Sequence, residues 1–233
     1  DENRPRMDPE ENINIVTDSR LKRTIRDYLD SQGEEIFIKE MKREDGTLKS
    51  RARLLSEYLT EHSGEFPNWE LENLKEVKEK SDNQLWNLLA EVSAKKLKDA
   101  LLDTFLDLRL FGATIAVKKK TITQIGPVQF KLGRSLHQVK PQLIKGTTVM
   151  PSRAGVEAGT ITETWVLPYS LIGFYGIVNE NTGKETGLTE EDLDLLMEGM
   201  WNGTKDLITR SKVGQIPRFL LRVVYSEGNY HIG

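Results

Sequence analysis

The sequence predicts a mixed α+β protein in which a helical module interrupts a framework of strands and helices. Three observations predict it. Residues 48–106 are rich in Leu, Lys and Glu and carry apolar side chains at helical spacing. From Arg109 onward Thr, Val, Ile and Phe become frequent, the composition of strands. An amphipathic helix stands on either side of these stretches, one starting near residue 18 and one near residue 189. With 233 residues, the chain has room for one large domain or for a core domain carrying an insertion. Its apolar content of 37% is low, which points to extended arms beyond the core.

Residues 1–12 are rich in Pro, Asn and carboxylates and read as a loop. Ile13, Ile15 and Val16 make a short apolar run around Asn14. Thr17 or Asp18 can cap a helix running to about Asp30, whose stripe of Leu21, Ile25, Tyr28 and Leu29 falls on one face. Arg20, Lys22, Arg23 and Arg26 flank that stripe. The loose alternation of Glu35–Met41 predicts a strand, and Asp45-Gly46 a turn. Within the helical module, Ser63-Gly64 and Pro67 mark turns, and Ser81 or Asp82 caps a helix that carries Trp86, Leu88, Leu89 and Val92. Leu97, Leu101 and Leu102 continue the helical spacing. Gly126-Pro127 is a break, with a strand expected over Val128–Leu132. Residues 135–160 lack periodicity and read as a long loop or an extended hairpin, a length uncommon without a function. Thr160–Val178 reads as two strand segments interrupted by Pro168. Thr189, with Asp192 three residues on, starts a helix to about Thr209, and Phe219–Tyr225 reads as a closing strand.

Without the insertion the order is helix, strands, helix, strand. One more strand before Asp18 makes it β-α-β-β-α-β, the ferredoxin-like order that RNA-recognition (RRM-like) modules also use. The sequence begins on Asp1 and ends on Gly233, and both natural ends, with the first strand, are expected to lie outside it.

Charge is distributed unevenly. Between Asp107 and Glu157 there is no acidic residue, while nine of the 33 basic residues fall there: Arg109, Lys118, Lys119, Lys120, Lys131, Arg134, Lys140, Lys145 and Arg153. That leaves 24 basic against 36 acidic residues elsewhere, although the net charge is only −3. A surface that meets a polyanion accepts Lys and Arg and rejects Asp and Glu. A β-rich stretch also disfavours carboxylates, so the pattern admits a purely structural origin.

The absence of cysteine excludes disulfides and thiolate metal sites and fits a reducing cytoplasm. No run approaches the ~20 apolar residues of a membrane span. Catalysis has little support: His62, His137 and His231 lie in unrelated segments without metal-ligand spacing, and Glu190-Glu191-Asp192 suits a helix start. No phosphate-loop or dinucleotide fingerprint is present, and no cofactor is expected. Nucleic-acid binding has more. Lys22, Arg23 and Arg26 stand three and four apart on the first helix, where a phosphate strand could run. Gly133-Arg134-Ser135 offers a small residue beside two donors, next to His137. Lys145, Thr147, Thr148, Met150 and Arg153 lie in the aperiodic stretch, where Met150 could press on a base.

Four strings occur in order: Asn3-Arg-Pro-Arg6, the run from Val16 to Arg26, Asp107-Leu-Arg-Leu-Phe-Gly112, and the run from Gly126 to Ser135. Together with Leu167–Gly176, they resemble the guide-RNA-binding backbone subunit of CRISPR Cascade complexes, close to the type I-B branch, within the RAMP superfamily. The resemblance implies a ferredoxin-like palm, a helical finger insertion and a protruding thumb. It implies a palm formed by residues 1–47, 107–138 and 160–233, fingers at 48–106 and a thumb loop at 139–159. It further implies a non-enzymatic cytoplasmic protein, several copies of which polymerise along one guide RNA and present it to a target DNA strand beside other Cascade subunits. Carried over by motif, the guide-facing residues are Ser19, Lys22, Arg23, Arg26, Arg109, Gly133, Arg134 and Ser135. The thumb would add Lys145, Thr147, Met150 and Arg153. The rival is an RNA endonuclease of the same superfamily acting on guide precursor or target RNA, for which Asp1 and Asp8 lie on a suitable loop. A scaffold binding only protein would leave the carboxylate-free interval unexplained.

Overall fold

The structure is a computed structural model, described here over residues 4–43, 45–117, 120–147, 161–209 and 211–226. The elements run β1 (Met7–Asp8), β2 (Ile13–Val16), α1 (Asp18–Ser31), α2 (Arg51–Glu61), a 3₁₀ turn (Ser63–Glu65), α3 (Leu74–Glu79), α4 (Asp82–Glu91), α5 (Ala94–Thr104) and α6 (Leu106–Phe111). They continue with β3 (Gly112–Val117), β4 (Lys120–Ile125), β5 (Val128–Phe130), β6 (Gly133–Ser135), β7 (Gln142–Thr147) and β8 (Ile161–Val166). The chain then forms β9 (Ile172–Gly173), β10 (Gly176–Val178), α7 (Glu180–Thr186) and α8 (Glu190–Lys205). It is a mixed α+β protein with small antiparallel sheets, and it divides into two compact units: residues 1–21 with 130–176, and residues 22–129 with 177–233.

The first unit is built on a four-stranded sheet in the order β1-β2-β6-β9. Its pairings are antiparallel, with Asp8 opposite Ile13, Ile15 opposite Arg134, and Arg134 opposite Gly173. Asn14 lies inside this sheet, its backbone N–H donating to the Ser135 hydroxyl at 2.9 Å. A Cβ at Gly133 would stand 2.5 Å from Phe174 Cζ, so only glycine leaves that ring its place. Of the aperiodic stretch 135–160, residues 142–147 form a strand, and residues 148–160 lie outside the described residues. β7 and β8 form an antiparallel ribbon from the Gln142–Val166 pair to the Thr147–Ile161 pair.

The second unit holds the helical module. Ser50, Ser81 and Ser93 cap α2, α4 and α5, and Ser81 forms a capping box with Gln84. Leu55, Leu59, Val77, Leu85, Leu89, Leu97 and Leu101 make the core of the module. Ile115, Val117 and Ile122 of the β3–β4 hairpin belong to the same core. Buried Arg53 ties α2 to the end of α3, donating to Val77 O and Lys80 O at 2.8 and 2.9 Å. At the root of the hairpin, Gly112 (φ 66°) and Gly126 approach each other's backbone so closely that a Cβ on either would overlap main-chain atoms of the opposite strand. Elsewhere in this unit α8 meets α1 through Gly199 and Gly203, where a Cβ would crowd Ile25, Tyr28 and the Thr24 carbonyl.

Several sequence expectations change. Glu35–Met41 forms no regular strand: the Asp107 carboxylate accepts the backbone N–H groups of Phe37 and Ile38 at 2.8 and 3.1 Å, taking donors that a ladder would need. Strand structure begins at Gly112 and not at Arg109, because Leu106–Phe111 is helical. The last helix ends at Lys205, four residues before Thr209. Residues 219–225 form no strand among the described residues, and Phe219, Leu221 and Val224 are exposed. The strand expected outside the sequence, ahead of the first helix, has a counterpart within it, because β2 leads directly into α1. Thr17 is the cap of that helix, its hydroxyl accepting from Arg20 N at 3.2 Å.

The Asp107 carboxylate has no exposed surface and also takes the Arg26 Nε–H at 2.8 Å. Asp107→Ala leaves a guanidinium and two amide N–H groups without their acceptor, and the expected loss is about 3–5 kcal/mol of unfolding free energy. Urea denaturation followed by circular dichroism measures it.

Candidate nucleic-acid interface

The sequence-predicted residues fall into two groups, one in each unit. Lys22, Arg23 and Arg26 share a face of α1 at helical spacing. Lys22 lies over the Phe111 ring at 5.7 Å, and Arg26 over the same ring at 5.0 Å while bonded to Asp107. Arg26 is therefore largely buried, a cation fixed by a carboxylate and an aromatic face. Arg23 remains exposed, between Asp27 at 3.5 Å and Glu40 at 3.1 Å.

Arg109 is held more firmly. Its Nε–H and Nη2–H donate to the two oxygens of Asp192, both at 2.9 Å, and its Nη1–H to the carbonyls of Leu102 and Asp103. The hydrogen bonds it donates to Asp192 keep the guanidinium above its ordinary range. Asp192 works twice, since the same carboxylate completes the capping box of α8 by accepting from Thr189 N.

In the first unit Ser19 is exposed near the start of α1. Gly133 and Ser135 are buried, and the Ser135 hydroxyl is spent on Asn14 N and His137 O. Between them Arg134 points outward, 45% exposed, its Nη2 donating to Asp8 at 3.1 Å and Glu11 at 2.9 Å. Asp8 also accepts from the backbone N–H groups of Glu10 and Glu11. The Glu11 and Glu10 backbone bonds, with a smaller contribution from Arg134, hold the Asp8 carboxyl below the usual carboxylate range. The Glu11 carboxylate holds Arg134 above its own. The tight turn between β1 and β2 thus presents two carboxylates to one guanidinium, much as a phosphate would. Lys145, on the ribbon, is exposed beside Glu163 at 3.2 Å, its cross-strand neighbour. Thr147 closes β7. Met150, Arg153, Lys118, Lys119, Asp1 and His231 lie outside the described residues.

The basic interval is thus answered in three dimensions by carboxylates from outside it: Asp8, Glu11, Glu163 and Asp192. Sequence reasoning missed these partners. Asp192 carried a visible signal only as a helix cap, and Asp8 only as a loop acid. Arg26 and Arg109 are anchored inward, whereas Arg23, Arg134 and Lys145 keep their charged ends at the surface.

Comparison with known proteins matches the chain to one family. The family model for CRISPR-associated protein Cas7 matches residues 1–231. A protein of Haloferax volcanii described as CRISPR-associated protein Cas7 is 31% identical over 252 aligned residues, covering all of this chain and 66% of the relative. Among solved structures, a chain of a CRISPR RNA-guided surveillance complex in its pre-nicking state superposes with a TM-score of 0.51 at 11% identity. That match covers 92% of this chain and 72% of the other, a likeness of fold. The chain belongs to the Cas7 family of CRISPR-associated proteins.

Proposed function

We propose that this chain is a guide-RNA-binding backbone subunit of a Cascade surveillance complex, repeated along the guide and presenting it for pairing with a target DNA strand. The observation that carries the reading is the family match across nearly the whole chain, 1–231. In this reading the protein works in the cytoplasm, beside other copies of itself and other Cascade subunits, and catalyses no reaction. No described helix is long and apolar enough to cross a membrane. A ferredoxin-like palm comprises residues 1–47, 107–138 and 160–233, with fingers at 48–106 and a thumb at 139–159. The β3–β4 hairpin, within the palm range, shares its core with the fingers. The β7–β8 ribbon forms the base of the thumb.

Ser19, Lys22, Arg23 and Arg134 are the palm contacts to the guide, and Lys145, Thr147, Met150 and Arg153 those of the thumb. Arg26, Arg109, Gly133 and Ser135 contribute by position: two fixed cations that add field, and two small residues that shape the strand bearing Arg134. Apart from Met150, which presses on a base, such contacts go to phosphate and sugar, because a repeated subunit must accept any guide sequence. The nuclease alternative turns on Asp8, whose carboxylate is engaged by two backbone N–H groups and Arg134.

Four measurements test the reading. Fluorescence anisotropy with labelled single-stranded RNA should give affinities nearly independent of sequence, falling with a log-log salt slope of roughly −0.7 per phosphate neutralised. Lys22→Ala with Arg23→Ala should reduce that slope by roughly 1 to 1.5, and an unchanged slope would place this face away from RNA. Asp8→Asn with Glu11→Gln should free Arg134 and tighten RNA binding a few-fold at low salt, an effect that vanishes at high salt and in an Arg134→Ala background. Mg²⁺-dependent RNA cuts by the wild type that disappear in Asp8→Ala would instead install the nuclease.

A further inference from the structure

Two residues beyond Arg134, the chain leaves β6 and forms a stacked aromatic pair. The rings of His137 and Tyr169 lie nearly parallel, 9° apart, with centroids 5.2 Å from each other. The imidazole is fixed at both edges. Its Nδ1 lies 3.0 Å from the Gln138 carbonyl, which can only accept, so Nδ1 carries the proton. Its Nε2 accepts the Leu171 N–H at 3.2 Å. The segments bearing the two rings are themselves pinned. Ser135 Oγ donates to His137 O, Leu136 N to Leu171 O, and Ser170 Oγ to Asn14 Oδ1. Pro168 restricts the backbone just before Tyr169.

Fixed in this way, the pair is a rigid backing for one open surface. Tyr169 remains 63% exposed, and among the described residues its hydroxyl carries no hydrogen bond. Leu136, beside it in sequence to His137, is 71% exposed and lies across Gly173, the glycine opposite Arg134. The segments at 134–137 and 168–171 together supply a guanidinium that can donate to phosphate once Asp8 and Glu11 release it, an exposed aliphatic side chain and a flat aromatic face. A flat, apolar, pre-ordered surface with a neighbouring guanidinium matches the chemistry of a nucleotide: the ring takes the base and the cation the phosphate.

We propose that the His137–Tyr169 pair is a stacking shelf for one unpaired nucleobase of single-stranded RNA, with Tyr169 in direct contact and His137 as the positioning residue behind it. The inference rests on the RNA-binding reading and adds a base contact to one otherwise made of backbone contacts. Stacking accepts every base, since each has a π-face, so the shelf is compatible with a guide of any sequence.

The test uses the full chain and single-stranded RNA in which 2-aminopurine replaces adenine at successive positions. Wild type should quench the probe where its base meets the ring. Tyr169→Ala should abolish that quenching and weaken binding roughly 5- to 150-fold, while Tyr169→Phe, which keeps the ring, retains both. An abasic site at the quenched position should cost wild type a comparable factor and Tyr169→Ala nothing further, a readout that holds even where the alanine variant is less stable. Wild type that binds RNA without quenching at any position, or quenching unchanged in Tyr169→Ala, overturns the shelf and leaves RNA binding standing. Altered self-association of RNA-free Tyr169→Ala with unchanged quenching also overturns it, by placing a second copy on the ring. Failure of the wild type to bind RNA at all removes both the shelf and the reading beneath it.

Discussion

A single buried carboxylate organises the larger unit. Asp107 gathers three donors from distant parts of the sequence: Arg26 on α1, and the backbone N–H groups of Phe37 and Ile38. A full negative charge without exposed surface is tolerable only when its oxygens are satisfied, and these are. The interaction bends the chain after α1 into a path that is not a strand, and Leu106 N bonds back to Glu35 O to close it. Arg26, fixed in turn, lies on Phe111, so α1 and α6 share one electrostatic and aromatic anchor. Arg109 and Asp192 repeat the logic two residues on from Arg26's partner, joining α6 to α8. α6 is therefore a short helix through which two ion pairs pass, and the hairpin that follows starts from a defined position.

These anchors sort cations by task. Arg109, bound bidentately to Asp192, and Arg26, bonded through its Nε to buried Asp107, cannot be withdrawn without stranding their partners, so both contribute to shape first and to the field second. Arg134, exposed and shared between two surface carboxylates, can exchange them for a phosphate with little rearrangement. On the proposed reading, the free protein thus carries its own competitor for a phosphate at that position. Competition of this kind discriminates against weak or isolated anions and yields to a strand held at several points.

Much of the architecture was legible in the sequence. The stripe of Ile25 and Leu29, the Ser81 and Thr189 caps and the helical character of residues 48–106 follow from periodicity and local side-chain chemistry, and the structure contains them. Long-range pairing was not legible. Nothing local tells that Asp107 will take the backbone donors of Phe37 and Ile38, so an alternating segment read as a strand. The apolar run at 219–225 has strand composition, but composition does not supply a neighbour. Gly133 and Ser135 stood out in the sequence as guide-facing candidates, and the structure gives them internal work, space for Phe174 and a bond to Asn14. The carboxylate-free interval was real in one dimension, and folding brings Asp8, Glu11 and Asp192 to its cations.

The crossing of Gly112 and Gly126 has a consequence for how the hairpin can vary. With the two main chains in contact at its root, neither strand can slide against the other, and the pairing from Gly112–Ile125 to Val117–Lys120 is set from the base. Length can then change only at the far end, and residues inserted there in cross-strand pairs preserve which side chains face Leu89 and Leu97. The hairpin is thus an adjustable spacer on a fixed hinge pin. Relatives can differ in reach while keeping the same seat, and a designer can graft a new tip without redesigning the fold that carries it.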